Sequence, residues 1–81
     1  MQGRGKDAII AFQMNVDEFP QSANAYDSLS DAYLAEGNKV EALKYAERAL
    51  ALLANDTRLP EDVKKLVRDS AQKKVEQLKK Q

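Results

Sequence analysis

Neither cysteine nor histidine occurs in this chain of 81 residues. Without cysteine there is no disulfide framework and no thiol chemistry. Without both, a zinc site lacks its two usual soft ligands, and a Ser–His hydrolase lacks its base. Tryptophan is missing too, and aromatics make up only 6% of the residues. No apolar run approaches the about eighteen residues that span a bilayer, and no signal peptide with a basic start and apolar centre is visible. Charge of one sign is also lacking. Thirteen basic residues cancel thirteen acidic ones, so no global field steers the chain toward nucleic acid or an anionic membrane. These absences leave one small domain, near the size at which a single core is marginally stable.

What the sequence does have is an internal echo. The stretch from Gly3 to Pro20 reads again as Gly37 to Ala54. Gly3 returns as Gly37, Asp7 as Glu41, Ala8 as Ala42, Ile9 as Leu43, Val16 as Leu50 and Phe19 as Leu53. Each pair is thirty-four positions apart, from 3 to 37 and so on. A period of about 34 residues with helical patterning marks a helix–turn–helix repeat.

The spacing predicts four helices. The first runs from about Lys6 to Phe19 with Ala8, Ile9, Phe12, Val16 and Phe19 on its apolar face, and Pro20 stops it. Ser22 caps a second helix that continues to Glu36, with Ala25, Tyr26, Leu29, Ala32 and Tyr33 forming the stripe and Ser30 a small residue within it. Gly37 and Asn38 tolerate left-handed geometry and end it. The third helix, Lys39 to Ala54, carries Val40, Leu43, Ala46, Ala49, Leu50 and Leu53. After a loop from Asn55 to Leu59, Pro60 opens a fourth helix reaching Lys79, with Glu61 and Asp62 at the positive end of its dipole. Val63, Leu66, Val67, Ser70, Ala71, Val75 and Leu78 form its apolar side, and Lys64, Lys65, Asp69, Lys73 and Glu76 its polar exterior. Burial of Val63, Leu66 and Val67 is expected to contribute about 1.5–3 kcal/mol each before entropy.

Residues 22–55 resemble one complete tetratricopeptide repeat. Tyr26, Leu29, Ser30 and Tyr33 stand at that family's positions in the first helix, and Gly37, Ala42, Ala49 and Leu50 at those of the turn and second helix. Residues 3–21 resemble the second half of a preceding repeat, closing Pro20 included, with Asn15 where alanine is usual. Two departures, Ala54 in place of a closing proline and Ala46 in place of an aromatic, fit a degenerate last repeat followed by a capping helix over 60–80. The resemblance implies an all-α, antiparallel helix-turn-helix stack, part of a right-handed α-solenoid, forming a single domain over residues 1–81. A chain that starts at the turn inside a repeat reads as a piece of a longer protein. The runs Asn15–Pro20 and Asn24–Leu29 also resemble repeat tails of bacterial serine hydrolases of the β-lactamase type, which would place any catalytic domain outside this sequence.

The family resemblance further implies a non-catalytic protein-binding module, with no cofactor and no metal, whose concave groove is lined by the first helix of each repeat. Asp27 and Asp31 lie four apart on one face of that helix, and with Asn24 and Leu34 they make the candidate contact surface for a protein or peptide. The family's clamp for terminal carboxylates uses lysine and asparagine; acids stand here instead, so that mode is not expected. A helix-borne acid pair without histidine or a pocket points away from catalysis or metal binding. Ser22, Ser28, Ser30 and Ser70 have no base beside them in the sequence pattern. Phe12, Phe19, Tyr26, Tyr33 and Tyr45 are read as packing residues. Ile9 and Phe12, with no helix before them, are expected to stay partly uncovered and to favour weak homodimerisation. From Asp56 onward eight bases face five acids. The interspersed acids and the missing aromatics there favour a solvated cap over a nucleic-acid or membrane surface. A folded tail that packs on or dimerises an upstream hydrolase is the alternative function.

Overall fold

The computed structural model describes residues 4–80 as four helices, with no strand among the described residues: α1 (Arg4–Glu18), α2 (Ala23–Ala35), α3 (Lys39–Asn55) and α4 (Glu61–Lys79). Gly3, where the internal echo begins, lies outside these residues. The protein is all-α, as its periodicity predicts.

Local chemistry sets the corners. Phe19 N–H still bonds Asn15 O at 2.8 Å, but Pro20 has no N–H to continue α1. Ser22 starts α2 by accepting from Ala25 N–H on its Oγ at 3.2 Å. The next corner satisfies two helices at once. Gly37 takes φ 79°, which a side chain would oppose. Its N–H bonds Leu34 O at 3.0 Å and the Asn38 N–H bonds Tyr33 O at 2.9 Å, closing the last turn of α2. Asn38 then caps α3, its Oδ1 accepting from Glu41 N–H at 3.3 Å. Between α3 and α4, Asp56 Oδ1 gathers the N–H groups of Arg58 and Leu59 at 2.7 and 3.2 Å, and Lys64 Nζ donates to Asp56 O at 2.8 Å. Pro60 precedes the first residue of α4.

The helices pack in a row, α1 on α2, α2 on α3 and α3 on α4, with α4 also touching α2. The slab measures 38 × 31 × 17 Å. Small residues set the spacing between α2 and α3. Ala23, Ser30, Ala42, Ala46 and Ala49 are fully buried, and Ser30 Oγ donates to Ala42 O at 2.6 Å. That bond satisfies a hydroxyl that otherwise costs free energy in an apolar contact. Two apolar clusters form the core. Ala23, Ala49, Leu53, Val67 and Ala71 join α2, α3 and α4. Val16, Ala25 and Leu29 join α1 and α2, with Ile9, Phe12, Tyr33 and Tyr45 against them and Tyr26 touching both clusters.

Four residues placed on apolar faces by the spacing are exposed instead: Phe19, Val40, Val63 and Leu66. Val40 sits about 160° around α3 from Ala42, on the side facing away from α2. Phe19 falls just past the end of α1. On α4 the buried line is Val67, Ala71, Lys74, Val75 and Leu78; Leu66, about 100° from Val67, lies outside it at 71% exposure. Stabilisation by burial therefore falls to Val67 and not to Leu66. Lys64, assigned to the outer face, is half-buried over the loop carbonyl of Asp56.

Candidate functional site

Ala25, Leu29 and Tyr33 hold α2 against α1, while Ala23 and Ser30 hold it against α3 and α4. This fixes which way the acid pair faces. Asp27 is turned inward and buried at 7%, under α4. Lys74, itself 6% exposed, reaches across from α4. Its Nζ lies 2.6 Å from Asp27 Oδ1 and 2.9 Å from Asp31 Oδ1, and donates to Asp27 O at 2.9 Å. Three donors thus meet three oxygens, the full capacity of an ammonium. Ser70 Oγ donates to Asp27 Oδ1 at 3.4 Å. Ser70 meets Asp27 and Lys74 meets Asp31, each pair 43 positions apart, so α4 runs parallel to α2 at this contact.

Of the four residues of the candidate contact surface, Asp27 is therefore engaged within the molecule and closed to an external ligand. Asp31 keeps 60% of its side chain exposed while sharing Lys74. Asn24 is exposed and Leu34 half-buried, so the surface that remains open consists of Asn24, Asp31 and Leu34. Lys74 is the residue of this cluster that the sequence pattern does not single out. Its signal was present: it falls three residues after Ala71 and seven after Val67, on the apolar line of α4, where an unpaired ammonium is not tolerated.

The other candidate surface lies on α1. Ile9 and Phe12 are half-buried against Val16, Ala25 and Leu29. The uncovered apolar residues on α1 are Ile10 at 59% and Met14 at 65%, one step around the helix.

A second feature lies between α2 and α3. The Tyr45 ring stacks between Tyr26 and Tyr33, with centroids 6.0 and 5.5 Å away and planes within 23° and 10°. Lys44 Nζ sits 5.3 Å from the Tyr45 centroid and Arg48 Cζ 5.8 Å from that of Tyr26, both within cation–π range. Tyr26, Lys44, Tyr45, Glu47 and Arg48 line an open cleft of about 450 Å³. Burial, then the neighbouring Glu41, Tyr26 and Asp17, pushes the Tyr45 phenol up; burial, then Tyr45 and Glu41, does the same at Tyr33. Both rings stay neutral far above neutral pH, as stacked packing residues should. A similar cleft at the loop end is lined by Phe19, Pro20, Ser22, Asp56, Arg58 and Leu59 among others.

The described residues hold no group of three or more acids that could bind a metal ion, and no helix among them is long and apolar enough to cross a membrane. The serine hydroxyls that make bonds serve the fold: Ser22 caps, Ser30 bridges α2 to α3, and Ser70 supports Asp27. No protein family, curated protein or solved structure matches this chain.

Proposed function

We propose that the chain is a helical-repeat scaffold of the tetratricopeptide kind, which binds a protein or peptide through the open side of α2 and performs no chemistry of its own. The observation that carries this reading is the neighbour-to-neighbour packing of helix hairpins around a tight corner at Gly37, combined with the 34-residue echo between the α1 and α3 sequences. In such a row each helix shelters only its neighbours' flanks, which leaves long surfaces free for contact. Asn24, Asp31 and Leu34 supply a hydrogen-bonding, an acidic and an apolar contact on one of these surfaces.

The test is capture of interacting proteins by the wild-type chain beside an Asn24→Arg, Leu34→Arg variant of unchanged helicity. Specific capture that disappears with the variant supports the reading; an identical set of captured proteins contradicts it. The alternative, a folded tail that packs on the body of a bacterial serine hydrolase, draws support from uncovered Ile10 and Met14 on α1.

A further inference from the structure

The open face of α1 has a composition that selects its occupant. Among the described residues, α1 packs on α2 alone. The side turned away carries Ile10 and Met14, 59% and 65% exposed and one helical turn apart, with exposed Ala11 beside them. Two large apolar side chains next to a small one form a ridge and a hollow, the relief that a second helix packs against. Exposed acids stand at the ends of this strip: Asp7 toward the start, Asp17 and Glu18 at the finish. Lys6 is the single base among the described side chains of α1. The carboxylates at the finish have no arginine or lysine partner among the described ion pairs, and Asp17 Oδ1 accepts only a hydrogen bond from Gln13 Nε2 at 3.1 Å. They also sit at the negative end of the helix dipole, where acids are least favourable.

A second copy of this chain fits the strip less well than a basic helix. Antiparallel pairing with Ile10 opposite Met14 sets Asp7 of one copy opposite Asp17 of the other and Lys6 opposite Glu18, and parallel pairing sets Asp7 near Asp7 and Glu18 near Glu18. Like charges held face to face oppose association. A helix with an apolar centre and basic flanks fits better: it covers Ile10 and Met14 and brings cations to Asp17 and Glu18, which make no ion pair among the described residues.

We infer that α1 is a docking face for a basic amphipathic helix of a partner, centred on Ile10 and Met14 and oriented by Asp7, Asp17 and Glu18. This rests on the reading of the chain as an interaction scaffold but uses a surface separate from Asn24, Asp31 and Leu34.

The probe is a synthetic amphipathic peptide of roughly eighteen residues with leucines on one face and lysines elsewhere, long enough to be helical when bound. A counterpart carries glutamates in place of the lysines. Titration of the full chain, followed by amide shifts, is expected to show saturable one-to-one binding of the lysine peptide, with the largest shifts in α1. The glutamate peptide should bind at least about tenfold more weakly, and so should the lysine peptide to an Ile10→Asp, Met14→Asp variant. Both substitutions fall on exposed positions, so circular dichroism should remain unchanged. Equal affinity for the two peptides, or undiminished binding by the variant, overturns the inference. Dimerisation of the free chain that the same variant abolishes overturns it as well. The Asn24→Arg, Leu34→Arg variant separates the two proposals: it should bind the lysine peptide normally. Binding lost there but kept in the α1 variant would sink the α1 site and leave the α2 surface standing.

Discussion

Lys74 on α4 and Asp27 on α2 form a buried ion pair, Nζ 2.6 Å from Oδ1, in which the ammonium also takes the Asp27 carbonyl. The pair fastens the last helix to the second at one register. Moving α4 by a single residue would swing Lys74 about 100° away and bury a carboxylate alone.

Removing one partner should therefore cost far more than removing both. Lys74→Met leaves Asp27 buried and unpaired and is expected to lower stability by about 3–5 kcal/mol. Asp27→Leu combined with Lys74→Met should recover much of that loss, because Asp31 is largely solvated without its cation. Urea unfolding of the variants and a double-mutant cycle read the difference.

The contact between α2 and α3 depends on residues being small. Ser30→Ala gives up the 2.6 Å bond to Ala42 O and should cost about 1 kcal/mol. Ala46→Leu forces new methylenes into a fully buried site and should cost about 1–3 kcal/mol by overpacking. Thermal melts should rank Ala46→Leu as the worse of the two.

At the corner, Gly37→Ala meets no atom within 4 Å, so its cost is that of the backbone alone. A φ of 79° should make the substitution destabilising by about 1–2 kcal/mol. Gly37→Asn should cost less, since asparagine tolerates that geometry.

Acid should loosen the loop before α4. The N–H groups of Arg58 and then Leu59 hold the Asp56 carboxyl below its ordinary range, helped by the charges of Arg58 and Lys64 and opposed by burial. A folded value below the unfolded one means the contribution is present above the unfolded value, about 3.9, and fades as pH falls through the lower folded value. Asp56→Ala should flatten that part of the acid profile in a pH series of melts. At the alkaline end the sign reverses. With the Tyr45 phenol raised, stability should begin to fall as pH passes the ordinary tyrosine value of about 10.

Local signals carried most of the fold. Ser22, Gly37, Asn38 and Pro60 act within a few residues of themselves, so helix ends could be placed from the chain alone. Partition between faces could not. On α1 the apolar residues Ala8, Ile9, Ile10, Phe12, Met14 and Val16 cover more than one stripe, and only the position of α2 decides that Ile9 is half-buried and Ile10 exposed. The acid pair Asp27 and Asp31 was visible at helical spacing, but whether it faced outward depended on a lysine 43 residues beyond Asp31. That choice is made by tertiary packing, through the burial of Val67 and Ala71 beside Lys74.

The row of mutually sheltering helices is tested most directly by ending the chain at Pro60 and following unfolding by circular dichroism and amide spectra. Loss of α4 uncovers Ala23, Ala49 and Leu53 and strips Asp27 of its cation. The shortened chain should lose its cooperative transition and the dispersed α2 and α3 amide signals. A remainder that melts as sharply, and at the same temperature, as the full chain would contradict that dependence.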